Sequence, residues 1–447
     1  MSPTRSIDVP VLARVEGEGA LHVRVREGRV DDVQLSIYEP PRFFEGFLVG
    51  RAAAETPDIT ARICGICPVA YQVAAANAVE SSQQVDVGET IRTMRRLLYC
   101  GEWIESHALH IYLLHAPDFL GYPDAIALAA DHRELVQQGL RLKKIGNTLM
   151  EVVGGRAIHP VNPKVGGFHR FPTRDELADV RPLLDQAAAD AEETVRLVAG
   201  LDLPEVNQPY HFVALDPSNG DYPLEDGRHV LAGTHRGGRQ RFPLEEFDTH
   251  VTEIQVEHSH ALHARLDGVG PYLVGPLARW ALLGDRMTGT AAQLAAELGV
   301  PDVVTNPFAS IVVRALEVVY AVDEAARIVD AWLAAGPTEQ GPASVDVPAA
   351  AGTGYGASEA PRGLLVHRYR TDEAGLVTEA RIVPPTSQNQ AQIEADVREV
   401  VDGALHLDDA ALTHRAEVAI RNYDPCISCA THALTLTVDR DSERASS

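Results

Sequence analysis

Two Cys-x-x-Cys pairs stand near opposite ends of the 447-residue chain, Cys64 and Cys67 in RICGICPVAYQ and Cys426 and Cys429 in DPCISCATH. Thiolates three positions apart reach the same side of one turn and can grip one metal, and soft sulfur donors suit transition metals better than hard cations. The chain has 5 cysteines, so four of them belong to this pattern. The fold must bring the two pairs together, which predicts a buried metal centre. Compact zinc ribbons separate their pairs by about 15–20 residues, far less than here. A long-range structural zinc site stays open on spacing alone, whereas a thioredoxin-like redox motif explains only one pair. Nothing at the N-terminus resembles a secretory signal, which weighs against disulfides. Cys100, in LLYCGEWIESH, sits in an apolar helical setting and reads as an ordinary buried thiol.

The elements that must position these cysteines show in the hydrophobic pattern. Polarity alternates from Ile7 to Ile37 around the EGRVDD turn, which predicts an antiparallel β segment. Helices are predicted over 69–79, 89–115, 131–151, 174–199 and 308–334, and near 388–402 and 413–421. The helix over 174–199 is rich in Ala, Asp and Glu and is expected to be largely solvated. Residues 205–250 are polar and turn-rich and read as an irregular β excursion, and 336–362 as a Gly/Pro/Ala-rich connection. LLVHRYR and LVTEARIV flank the Asp372–Gly375 turn and predict a hairpin. His107, His110 and His115 recur at helical spacing and read as buried, hydrogen-bonded histidines. Because the cysteine pairs lie at both ends, residues 1–432 are expected to form one α-rich α+β domain, a central helical bundle with peripheral β elements.

The formal charge of −24 argues against a nucleic-acid binder and against attachment to anionic lipid. No apolar run approaches the 18 or so residues of a spanning helix. These properties predict a soluble, cytoplasmic protein. Neither a Gly-x-Gly-x-x-Gly fingerprint nor a Walker motif is present, so the chain has no nucleotide signature of its own.

The segments from Arg62 to Pro68 and from Asp424 to His432 closely resemble the two signature motifs of the large subunit of nickel–iron hydrogenases. RVEGEG at 14–19, PRFFEGFLVGR at 41–51, SHALHIYLLHAPDF at 106–119, EAPRG at 359–363 and VPPTSQN at 383–389 extend the match in the family's order over nearly the whole chain. The resemblance implies the large-subunit fold and reversible oxidation of dihydrogen to protons and electrons. It implies Cys64 and Cys426 as terminal nickel ligands, and Cys67 and Cys429 as bridges to an iron carrying carbon monoxide and cyanide. Arg362 would overhang the open metal position, with Asp118 and Asp424 holding it, and Thr386 would offer its hydroxyl to a cyanide. Glu16 would relay protons. Glu45, His432 and the backbone carbonyl of Ile382 would hold a structural magnesium.

The wording of these motifs is most similar to the soluble NAD(P)-coupled, or sulfhydrogenase, branch, with deazaflavin- and heterodisulfide-linked hydrogenases as neighbours. Four cysteines committed to one centre leave none for iron–sulfur clusters. The resemblance therefore implies an iron–sulfur small subunit, flavin and NAD(P) on further diaphorase subunits, and maturation by metal-insertion factors and a protease. That protease is expected to cut after His432, which makes residues 433–447 a removable C-terminal extension.

Overall fold

In the computed structural model, which describes residues 5–217, 219–234, 237–335 and 341–431, the chain opens with an antiparallel meander. Its strands are β1 (Arg5–Val9), β2 (Gly19–Arg26) and β3 (Arg29–Ile37), and alternate residues face the core as the sequence pattern requires. Cys64 and Cys67 follow in an irregular segment that ends at Pro68, the first residue of α1 (Pro68–Ser82). Proline is at home there, because the first turn of a helix has no use for its missing N–H.

Next come α2 (Glu89–Leu109), α3 (Arg133–Gly154), α4 (Arg174–Ala199) and, later in the chain, α5 (Ser310–Ala334). These four form the central bundle, with α2 packed on α3 and α5, and α4 packed on the same two helices. α4 is solvated over most of its residues, as expected, but one face is not. Leu177, Val180, Leu184, Ala187, Ala191, Val195 and Val198 are buried along one face. Their spacing of three and four makes a complete apolar stripe, and the many acids occupy the other faces. The helix predicted to run to residue 115 stops being α-helical at Leu109. His110–His115 form a π-helical turn, followed by a short helix over Ala116–Leu120. Pro117 has no N–H with which to continue an α-helical ladder, and a widened turn absorbs the break.

Residues 205–250 hold an antiparallel meander of β4 (His211–Asp216), β5 (His229–Thr234) and β6 (Gly237–Pro243). The predicted hairpin around Asp372–Gly375 is present as β8 (Gly363–Thr371) and β9 (Val377–Val383). It has a third strand, β7 (Gly352–Ala360), in what the sequence presented as a connection. The glycines that hid this strand are the reason it fits. A Cβ on Gly356 would stand 2.2 Å from the backbone nitrogen of Ala78, so α1 lies directly on the bare strand. After β9 come α6 (Pro385–Asp402) and α7 (Asp409–Arg421), and then the second cysteine motif. The result is an α-rich α+β fold with small antiparallel sheets around a helical bundle. Among the described residues no helix is long and apolar enough to cross a membrane.

Candidate metal centre

The two cysteine pairs meet. Cys64 Sγ lies 3.5 Å from Cys426 Sγ, Cys67 Sγ lies 3.6 Å from Cys429 Sγ, and Cys426 and Cys429 stand 2.9 Å apart. All four sulfurs fall within 4.8 Å of one another, are buried, and form no disulfide. Burial pushes the Cys426 thiol up, whereas hydrogen bonds from Cys426, Cys429 and Cys67 hold Cys64 well below the usual thiol range. Four soft donors converging in a dry site make a ligand set suited to a soft transition-metal ion.

Each neighbour of the cluster is placed by a distinct contact. Cys426 Sγ lies 3.0 Å from Glu16 Oε2, and the same oxygen accepts the Ser428 N–H at 3.0 Å. The backbone of Glu16 bridges to Cys426, and Ile427 N–H donates to the Glu16 carbonyl at 3.0 Å. Gly17 explains this approach, since a Cβ there would meet Glu39 Oε1 at 2.6 Å and Ile427 Cβ at 2.7 Å, and its φ of 87° is one that L side chains avoid. Thr386 opens α6 and accepts the Cys426 N–H on its hydroxyl at 3.0 Å.

Arg362 occupies a two-residue turn between β7 and β8, where Ala360 pairs with Gly363. Hairpin tips normally face solvent, yet this one points into the core and Arg362 is 2% exposed. Its Nε donates to the Asp424 carbonyl at 2.6 Å and its Nη2 to Asp424 Oδ1 at 3.0 Å. Nη1 has no hydrogen-bond partner among the described residues. Burial opposes the guanidinium charge, but Asp424 and the sulfurs of Cys426, Cys67 and Cys64 more than compensate, so the group stays protonated.

Asp118 corrects the sequence reading, because it does not hold Arg362. Its carboxylate takes Arg421 Nε at 2.8 Å and Arg421 Nη2 at 3.0 Å, and it also pairs with Arg14. Arg421 in turn donates to the Ala13 carbonyl at 3.0 Å. Asp118 thus clasps the segment leading to Glu16 onto the end of α7, which leads to Cys426. Asp424 keeps its assignment and makes it from a left-handed backbone conformation, φ 50°, which aspartate tolerates.

Sequence reasoning overlooked the groups beneath Arg362. Arg279 is fully buried and binds Glu317 at 2.7 and 2.8 Å and Glu359 at 2.9 Å. It also donates to the carbonyls of Ala360 and Pro361 at 3.0 and 3.1 Å, so it holds the turn that carries Arg362. Arg42 was missed too. Its guanidinium joins the Ile63 carbonyl, at 2.7 Å, to the Ser428 carbonyl, stitching one cysteine motif to the other. The available signal was a charged residue inside an apolar run, as in PLARWALL and IVVRALEVVYA, because such a residue is buried only with partners.

The histidine triad is buried, as expected, but the hydrogen bonding expected of all three fails at His115, and among the described residues the three share no ligand position. His107 Nε2 lies 3.0 Å from Glu317 and His110 Nε2 pairs with the Arg421 carbonyl at 2.7 Å, while neither His115 nitrogen has a hydrogen-bond partner among the described residues. Glu45 and Ile382 are adjacent, the Ile382 N–H donating to Glu45 Oε1 at 2.7 Å. Burial pushes the Glu45 carboxyl up to about 7. His432, the remaining ligand named for magnesium, and the tail at 433–447 lie outside the described residues.

Fold and site together define a metal-binding class of protein, in which a buried four-cysteine ligand set is flanked by a carboxylate and a fixed guanidinium. Residues 42–144 and 247–432 match the family model described as nickel-dependent hydrogenase. Sulfhydrogenase 1 subunit alpha of Pyrococcus furiosus is 35% identical over 431 residues, covering 96% of this chain and 98% of the relative. Sulfhydrogenase 2 subunit alpha of the same organism is 35% identical over 435 residues, covering 96% of this chain and all of the relative. Among solved structures, an NAD+-reducing [NiFe]-hydrogenase in the H2-reduced state matches with a TM-score of 0.85 at 29% identity, covering 96% of this chain and 99% of that one. A nickel–iron–selenium hydrogenase from D. vulgaris Hildenborough shares the fold, with a TM-score of 0.78 at 22% identity and coverage of 96% of this chain and all of that one. The chain belongs to the nickel-dependent hydrogenase family, as a catalytic large subunit.

Proposed function

We propose that this subunit activates dihydrogen reversibly and that its electrons reach NAD(P) through partner subunits. The observation that carries the reading is the buried four-sulfur cluster with Glu16 3.0 Å from Cys426 Sγ. The donor set fits the group: soft thiolates converge from two sides, and Arg362 directs an unpartnered, permanently charged nitrogen within the same dry region. When bound, the nickel–iron pair with its carbon monoxide and cyanide supplies the redox chemistry that splits dihydrogen into two protons and two electrons.

The chain's own residues then have separable tasks. Cys64, Cys67, Cys426 and Cys429 would together hold the nickel–iron pair through their four sulfurs. Glu16 takes a proton from the Cys426 side of the centre and passes it outward, a role suited to a half-buried carboxyl within hydrogen-bonding reach. Arg362 would steady negative charge on the ligands of iron, and Asp424 fixes the plane of its guanidinium by charge-assisted bonds. Thr386 orients the Cys426 backbone and would offer its own proton to a cyanide. Glu45, the Ile382 carbonyl and His432 would hold magnesium, whose preference for oxygen donors the carboxylate meets. Residues 1–432 act as one catalytic domain, cytoplasmic, in complex with an iron–sulfur small subunit and flavin- and nicotinamide-binding subunits. Metal-insertion factors load the centre, and a protease removes residues 433–447.

Hydrogen-dependent reduction of NADP, NAD and a deazaflavin by the native complex tests the electron route. Reduction of a nicotinamide is the expected result, and reduction of the deazaflavin alone would move the chain to that branch. Nickel and iron in near-equal amounts should accompany activity. Zinc as the sole metal would overturn the assignment of the centre.

A further inference from the structure

A second group of ligand-type side chains lies away from the four cysteines. His258 Nε2 stands 2.8 Å from Glu394 Oε1, and His258, His263 and Glu394 each offer one donor atom within 4.8 Å of the others. His263 is 3% exposed, and its Nε2 has no hydrogen-bond partner among the described residues. An imidazole nitrogen left orphaned in a dry setting costs free energy unless something occupies its lone pair.

The three groups are held in place by contacts that do not use up their donor capacity. Glu394 lies on α6, and its Oε1 also accepts the Leu35 N–H of β3 at 2.9 Å. Both hydrogen bonds fall on Oε1, so Oε2 carries none among the described residues. The loop bearing His258 is fixed at its centre by Ser259. The Ser259 hydroxyl donates to Gln390 Oε1 at 3.2 Å and accepts the Ala261 N–H at 3.3 Å, and the neighbouring His260 N–H donates to the Ile37 carbonyl at 2.7 Å. Gln390 is one turn before Glu394 on the same helix, so loop and carboxylate share one frame. Backbone and amide contacts of this kind orient metal ligands in known sites.

We propose that His258, His263 and Glu394 form a second metal site, for a zinc-class divalent cation, distinct from the thiolate centre. Two imidazoles and one carboxylate leave a fourth position of a tetrahedron for water, and partial exposure of His258 and Glu394 provides entry. Mixed nitrogen and oxygen donors favour zinc or a neighbouring first-row ion over magnesium or calcium. The ion would join β3, the loop at 255–262 with the strand that His263 opens (His263–Leu266), and α6 at one point. Thr386, which accepts the Cys426 N–H, lies about two turns earlier on that helix, so the site braces an element of the catalytic centre.

The test uses the assembled complex with its nickel–iron centre filled, so that the cysteines are not free to take zinc. After incubation with a small excess of zinc and removal of loose ions, one retained equivalent per large subunit is expected, with nitrogen and oxygen scatterers alone in its X-ray absorption spectrum. His263→Gln and His258→Ala should each lose that equivalent at unchanged nickel content. No retained zinc, sulfur scattering around the retained zinc, or equal retention in both variants would overturn the site. Should either variant fail to assemble, the absorption spectrum of the unaltered complex decides by itself.

Discussion

At the scale of single residues, the centre separates groups that hold metal from groups that handle charge and protons. Glu16→Gln keeps the hydrogen bond from Ser428 but removes the ionisable carboxyl. Hydrogen/deuterium exchange should fall by roughly 100-fold or more, the usual contribution of a positioned acid–base group, with nickel and iron content unchanged. Retained exchange would send the proton by another route. Arg362 reaches the Asp424 carbonyl and carboxylate through two different nitrogens. Lysine carries one compact ammonium and cannot reproduce that fork. For Arg362→Lys we expect a loss of about 100-fold in turnover, comparable to removing one charge-stabilising donor. Metal analysis should find the centre still loaded, and loss of the metals would make Arg362 a structural residue instead.

At the scale of elements, α1 places Cys67 because its alanine-rich face lies on the glycines of β7. Replacing Gly356 by alanine inserts a Cβ 2.2 Å from the Ala78 nitrogen and 2.3 Å from the Ala74 carbonyl, where backbone rather than a flexible side chain must yield. Overpacking of this kind costs about 1–3 kcal/mol. We expect Gly356→Ala to lower the denaturant midpoint and reduce nickel incorporation together, since the strained helix carries the cysteine. A lowered midpoint with full nickel loading would mean that the Cys67 segment is positioned independently of α1.

At the scale of the molecule, the Arg279 network joins the bundle to the sheet that carries Arg362. Burial works against ionised Glu317, but the charge and hydrogen bonds of Arg279 outweigh it and hold the carboxyl down to about 2, against an ordinary 4.5. A depressed carboxyl stabilises the fold above its unfolded value, and that stability drains away as pH falls from 4.5 towards 2. The span is worth about 3 kcal/mol. Glu317→Gln should start about 3–5 kcal/mol less stable at neutral pH, because Arg279 is left partly unpaired, and should lose less than the unaltered protein across that acid window by about the same 3 kcal/mol. A parallel acid decline in both proteins would assign the effect to other carboxylates. A second prediction at this scale concerns the end of the chain. Intact-mass measurement of the active complex should find a large subunit that ends at His432, and a fully active subunit ending at Ser447 would remove proteolytic processing from its maturation.

Much of the centre was legible in the sequence because its chemistry needs residue types that are rare and closely spaced. Cys64 with Cys67, and Cys426 with Cys429, declare themselves by spacing, and the flanking motifs carried Glu16, Arg362, Asp424 and Thr386 with them. Elements with a clean period were legible too, as in the meander over Ile7 to Ile37 and most of the helices. What the sequence could not decide was how distant polar groups share partners. Asp118 and Asp424 look equally able to hold Arg362, and only the approach of Arg14 and Arg421 commits Asp118 elsewhere. Arg279 carries no motif, and its role arises because the bundle and a hairpin tip enclose it between Glu317 and Glu359. The same limit hid β7, whose glycines signal a turn until α1 is seen to lie on them, and His263, whose missing partner exists only once β3, its own short strand and α6 have closed around it. Spacing along a chain determines which donors share a turn, whereas burial and long-range pairing depend on packing between segments hundreds of residues apart.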